Sequence, residues 1–261
     1  MMFSDCVVLP ALQPFLDFAL TLLRWLARLS MLGLVVLALW MTFRQLIRTL
    51  FGNPAFLDGA IDSPDLALEF IGRHDNAPAR LAEILQHSGH LPLLRNLSLD
   101  GRVFVPIYTV SFAIAIMSTI GLPFACGRCA ISLPAVAAIL LTFTAAVLDW
   151  LENACIARAI RLNEQSDEER KQNGRLLIES LIQANQRAST KFALLGVVLL
   201  MLGWHARSPD PIFGLIIPTP QLFFAAGCLL LIGTVRLRLL EIGISAAGLA
   251  VIALFFVLAW R

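Results

Sequence analysis

The stretch LPAVAAILLTFTAAVLDWLEN, residues 133–153, is apolar or small from Leu133 to Leu148 and closes on Asp149, Glu152 and Asn153. A bilayer has a hydrocarbon core about 30 Å thick, which takes about 20 helical residues to cross. At 1.5 Å per residue, Asp149 falls about 24 Å from Leu133, in the inner part of such a bilayer. Ionisable groups at that depth are costly and are either paired or used. The stretch therefore predicts a membrane helix that carries two acids and a carboxamide near one end.

Composition agrees. The chain has 261 residues, 58% of them hydrophobic and 15% charged, where a soluble domain carries about 25% charge. Mean hydropathy is +0.79. A net charge of +2 gives no basis for binding nucleic acid, which needs a concentrated basic surface. Residues 1–17 contain no Lys or Arg, so no cleavable signal peptide is expected. The cysteines at 6, 126, 129, 155 and 228 are too scattered for a disulfide framework.

Working outward from residues 133–153, the pattern predicts an all-α integral membrane protein. It has about six transmembrane helices, a protruding cytoplasmic helical hairpin and short amphipathic cytoplasmic helices, all in one membrane domain over 1–261. The first span starts near Pro14 and runs to Arg48, with Trp25 and Trp40 placed for the aromatic belts. The second covers Val103 to Pro123, rich in small and hydroxyl residues that suit close helix packing. The third begins at Leu133-Pro134 and continues to about Asn163, long enough to leave the membrane. Ser166 with Glu169 three residues on is a capping-box pattern. It opens the helix that becomes span four, although Gly174 weakens its first turns. Spans five and six follow at about 220–235 and 242–260, where Gly227, Gly233, Gly243 and Gly248 would allow close approach within the last pair.

Two polar segments interrupt this pattern. Residues 51–102 hold four Arg against seven acids. Within them one short helix starts at Ser63-Pro64 and presents Leu66, Phe70 and Ile71. A second starts near Pro78, presents Leu81, Ile84 and Leu85, and ends at Gly89. Helices of three turns are unstable alone, so these lie on the membrane surface or pack on the bundle. The second polar segment, 156–191, is the tip of the hairpin between spans three and four. The apolar part of span four, Phe192 to Trp204, is too short to cross alone, which draws Ser189, Thr190 and Lys191 toward the membrane.

With six spans, five basic residues fall on the side of the termini and fifteen on the other. The positive-inside rule then puts residues 51–102 and 156–191 in the cytoplasm and both termini outside. A bacterial inner (plasma) membrane is the default location.

The candidate site is Asp149, Glu152 and Asn153, which the i, i+3, i+4 spacing places on one helix face, with Lys191 as counter-charge. Such a cluster serves either as an ion, proton or polar-ligand site or as a buried charge clamp pinning the hairpin. A third reading is an interfacial pair reaching for water. A hairpin centred near residue 170 makes 149 and 191 level; one centred near 165 leaves them out of step. As a clamp, removing Asp149 and Lys191 together is expected to rescue what removing one destroys. Cys126-x-x-Cys129 has the spacing of a thiol oxidoreductase, of a structural disulfide, or of two incidental thiols. Glu83, His87 and His90 recur at helical spacing, but Gly89 separates the two histidines, so a solvated face is expected and no metal. No serine-hydrolase elbow, zinc-protease motif, phosphate-binding loop or dinucleotide glycine pattern occurs. No cofactor is expected, and a non-enzymatic role is favoured over an enzymatic one. The functional expectations are a small transport or ligand-binding membrane protein, an accessory subunit whose cytoplasmic cap recruits a partner or a second copy, and a thiol oxidoreductase using Cys126 and Cys129.

Overall fold

A computed structural model of the chain describes residues 25, 63–120, 132–206 and 219–260. Among the described residues every element is helical, with no strand. The first predicted span lies outside these residues except for Trp25, which is helical and exposed.

Helix α1, Pro64–Phe70, starts with Pro in its first turn and runs into a 3-10 turn, Ile71–Arg73. Helix α2, Ala77–Ser88, ends at Gly89, whose φ of 74° takes the chain into α3, His90–Leu99. A helix past Gly89 was not expected. It continues through a π-helical stretch, Asp100–Phe104, into α4, Val105–Thr119. The helix of the second predicted span is therefore longer at its polar end than the apolar pattern indicates. Helix α5, Leu133–Asn163, and helix α6, Asp167–His205, follow. The chain then forms α7, Thr219–Gly233, and α8, Leu237–Trp260. Three of these stretches are long and apolar enough to cross a membrane: His90–Thr119, Leu133–Asn163 and Gln172–His205. The apolar parts of α7 and α8 are shorter.

Helix α5 divides into two faces. Ala135, Ala138, Thr142, Ala145 and Ala146 recur every three or four residues and are buried, continuing into Asp149, Glu152, Ile156 and Ala159. Small residues let a partner backbone come close. The other face exposes Leu133, Leu140, Phe143, Val147 and Trp150, a stripe that lipid would cover. Thr142 turns its hydroxyl back to the Ala138 carbonyl at 2.9 Å, which satisfies it without water.

Helices α5 and α6 run antiparallel, and their register answers the question left by the sequence. Asn173 donates to Gln165, Cys155 to Gln183, and Arg187 to the Leu151 carbonyl. Each pair centres the hairpin near Glu169, not at the connecting residues 164–166. The cause is the cap. Ser166 accepts from the Glu169 amide while the Glu169 carboxylate accepts from the Ser166 amide. Helix α6 therefore starts at Asp167, well before Gly174, and its first turns project past the end of α5. That offset brings Lys191 level with Asp149.

Helices α6 and α7 cross backbone to backbone: a Cβ built on Gly196 would lie 3.1 Å from the Gly227 carbonyl oxygen, and one on Gly227 2.8 Å from that of Gly196. Gly227 thus serves the α6–α7 crossing, where the sequence placed it in the last pair. Gly233 and Gly243 do lie between α7 and α8, and Gly248 meets nothing within 4 Å.

The α1–α3 segment packs on the bundle. Leu66, Phe70, Ile71, Leu81 and Ile84 are all buried, and Phe70 stacks on Phe192 of α6 with ring centroids 6.1 Å apart. A Cβ on Gly72 would collide with the Leu181 carbonyl, so the 3-10 turn sits directly on the α6 backbone. The Arg73 guanidinium donates to Asn185 Oδ1, Ser189 Oγ and the Thr234 carbonyl, joining the segment to α6 and the end of α7. The Ser63 amide donates to Glu241 on α8, and His90 lies 3.4 Å from Glu164 beside the hairpin turn.

Candidate functional site

Lys191 is the centre of the site. Its Nζ lies 3.0 Å from Asp149 Oδ1, 2.9 Å from Glu152 Oε2 and 3.3 Å from Glu69 Oε2. The lysine and Asp149 side chains are 4% and 5% exposed, Glu152 is 0% and Glu69 18%. Three acids from α1 and α5 thus converge on one ammonium from α6, in an interior closed around Asp149, Glu152 and Lys191 and partly open at Glu69.

Each side chain is placed by its own helix. Asp149 and Glu152 continue the small-residue face of α5 that meets α6. Lys191 precedes Phe192, whose ring packs on Phe70 and lies 4.6 Å from the lysine nitrogen. Glu69 is the last residue but one of α1, beside Phe70 on the side that docks.

A second layer surrounds Asp149. The Tyr108 hydroxyl donates to Asp149 Oδ2 at 3.0 Å, and the Tyr108 ring sits between Phe104 and Phe112 on α4. Asn153 turns away from the lysine and donates to Asp100 Oδ2 at 2.7 Å. The Trp150 indole donates to the Gly101 carbonyl at 2.7 Å. Both acceptors belong to the π-helical stretch: the Val105 amide donates to the Asp100 carbonyl and the residue five on from Gly101 is Pro106, which has no N–H, so the Gly101 carbonyl is left to accept from Trp150. One turn of α5 therefore holds α6 through Asp149 and Glu152 and the α3–α4 junction through Trp150 and Asn153.

Of the residues singled out in the sequence, Asp149, Glu152 and Lys191 meet. Asn153 lies beside them and serves Asp100. Cys126 and Cys129 lie outside the described residues. Glu83 pairs with Arg80 and His90 with Glu164, so the two ends of that spacing face different neighbours. Among the described residues no group of three His, Cys, Asp or Glu side chains is arranged to hold a metal. At the cluster, the lysine nitrogen fills the position a cation would take.

Glu69, Tyr108 and Asp100 were missed. Glu69 carried a signal: it falls three residues after Leu66 and one before Phe70, an acid set on the apolar face of its helix. Burial, and then the neighbouring Glu152, push the Glu69 carboxyl well above the ordinary carboxylate range, against the pull of Lys191. Arg73, outside the membrane-crossing stretches, is lowered by burial alone.

A groove of about 330 Å³ runs along α5 past Ala154, Ala157, Arg158 and Arg161, separate from the lysine. The chain matches no protein-family model, no curated protein and no solved structure.

Proposed function

We propose that this is a polytopic membrane protein of the accessory or scaffolding class, in which the Lys191 cluster is a charge clamp docking the α1–α3 cap onto the bundle. One observation carries the reading: a lysine 4% exposed touches three carboxylates supplied by two other elements. Removing one partner from a buried ion pair typically costs about 3–5 kcal/mol, because the other charge is left uncompensated. A group arranged so holds elements together. Arg73 and the Ser63 amide extend the same docking to α6, α7 and α8.

In this reading the chain crosses a bacterial inner membrane about six times, with both termini outside and residues 51–102 and 156–191 in the cytoplasm. The excess of basic residues on that side supports the orientation. The cap and the projecting start of α6 then form a cytoplasmic platform, which presents a fixed surface to a protein partner.

Water access at position 149 tests the proposal. A single cysteine is placed there in a cysteine-free background and treated with a small polar thiol reagent in intact membranes. The clamp requires no modification in protein that remains folded. Ready modification overturns it in favour of an aqueous path for an ion or polar ligand. Single cysteines at exposed positions 161 and 176 in the same background report the side: reaction from the cytoplasm supports the orientation, and reaction from outside reverses it.

A further inference from the structure

We infer that Glu69 and Glu152 share one exchangeable proton, so that the clamp is itself a proton-binding site open to the aqueous side at Glu69. The inference rests on the clamp reading and deepens it.

Charge balance is the first ground. Glu69, Asp149 and Glu152 all touch one ammonium, so full ionisation would leave two uncompensated negative charges around a buried lysine. Hydrogen bonding is the second and independent ground. Glu152 is wholly buried; its Oε2 faces the lysine nitrogen at 2.9 Å, and its Oε1 has no hydrogen-bond partner. The Glu69 and Glu152 carboxyls are neighbours, because both touch the same lysine nitrogen, at 3.3 and 2.9 Å. Two ionised carboxylates so placed are both acceptors and repel. One proton between them makes an O–H donor, satisfies the Glu152 oxygen and removes one excess charge. A metal ion does not serve instead, because the lysine nitrogen occupies the centre of the acids.

The other charged and titratable groups around the pair are already committed. Asp149 is held by Tyr108 and Lys191, and Asp100 by Asn153. Asp65 accepts from Asn96, Arg73 is bound to Asn185, Ser189 and Thr234, and Glu241 accepts from Ser63. Glu69 is 18% exposed where Glu152 is 0%, so the proton exchanges through Glu69. Release breaks one O–H bond, passes the proton to water or hydroxide, and leaves two carboxylates facing each other.

Infrared spectroscopy of the purified full-length protein in lipid nanodiscs tests this. At neutral pH the carbonyl band of a protonated carboxylic acid is expected, shifting in D2O and vanishing at alkaline pH. In Glu152→Gln that band is expected to vanish at a lower pH than in the wild type, while the protein stays folded, because Gln reproduces the neutral acid and removes the neighbouring charge that helps Glu69 hold its proton. Absence of the band in the wild type at neutral pH overturns the inference whether or not the variant folds. So does a thermal midpoint that rises with sodium or potassium at constant ionic strength while the band is missing, which would assign the balancing charge to a metal cation. Lys191→Met separates the two readings. If it folds as stably as wild type, the clamp itself fails. If it is destabilised while the acid band is absent, the clamp stands and only the shared proton fails.

Discussion

Tyr108 donates its hydroxyl to the Asp149 oxygen that Lys191 does not use, Oδ2 at 3.0 Å, while the lysine takes Oδ1 at 3.0 Å. A carboxylate with almost no exposure is thereby served on both sides, by α4 and by α6. Tyr108→Phe keeps the ring and its contacts with Phe104 and Phe112 but strips the donor. Leaving a buried acceptor unpaired costs about 1–3 kcal/mol. The expected result is a lower thermal midpoint in detergent with helix content unchanged. A midpoint equal to wild type would show that Oδ2 finds another donor.

Gly72 sets how closely the cap approaches α6. A Cβ there meets the Leu181 carbonyl and the following amide, backbone atoms that cannot swing aside. Gly72→Ala is expected to lift the 3-10 turn and weaken the Arg73 bonds to Asn185 and Ser189. Overpacking of this kind costs about 1–3 kcal/mol. Tryptic cleavage at Arg80 and Arg95 should then run faster than in wild type, while cleavage at Arg175, which lies on α6 and pairs with Glu179, should not change. Equal rates at all three sites would mean that the cap docks without this contact.

The pH dependence has a defined sign. Glu69 is held above the ordinary carboxylate range by burial and by Glu152, so the docked cap binds its proton more tightly than the released cap does. Its contribution is fully present below the ordinary carboxylate range and is lost as pH rises through the raised folded value. The thermal midpoint should therefore fall on the alkaline side. In Glu69→Gln, which mimics the protonated acid, the fall should be shallower. An equally steep fall in that variant would assign the titration to another group.

The long apolar helices and the α5 boundaries were legible in the sequence because the length and hydropathy needed to cross a bilayer are written in the residues themselves. Leu133 and Asn163 both fell where the pattern put them. The capping box at Ser166 and the stop at Gly89 were legible for the same local reason, since each is written in adjacent residues. Half of the site was legible as well: Asp149 and Glu152 share a helix face by spacing alone. Lys191 was found by counting along the hairpin. Its level with Asp149, however, depended on an offset that only the early start of α6 fixes. Glu69 was not found because its contact spans 122 residues of chain. Nothing local separates an acid that docks from one that faces water, except its place between Leu66 and Phe70. Asn153 shows the opposite error. It was read as part of the cluster from its spacing, but the extra helix α3 and its π-helical end put Asp100 closer.

The clamp has a charge balance that the sequence did not reveal, and it changes the expected rescue. With only Asp149 facing Lys191, removing both would restore a neutral interior. With Glu69 and Glu152 also on the lysine, Lys191→Met with Asp149→Asn still leaves the negative charge of the Glu69–Glu152 pair without a counter-charge. Lys191→Met alone is expected to lose about 3–5 kcal/mol, read as loss of folded protein after detergent extraction. Adding Asp149→Asn should recover part of that loss. Adding Glu69→Gln and Glu152→Gln should recover most of the remainder, because no buried charge is left to compensate. The order of recovery is the measurement. If the first pair already restores wild-type stability, Glu69 and Glu152 carry no charge at neutral pH and the clamp is Asp149 and Lys191 alone. If the fully neutral set is no better than Lys191→Met, the lysine acts through packing on Phe192 and the ion pairs contribute little.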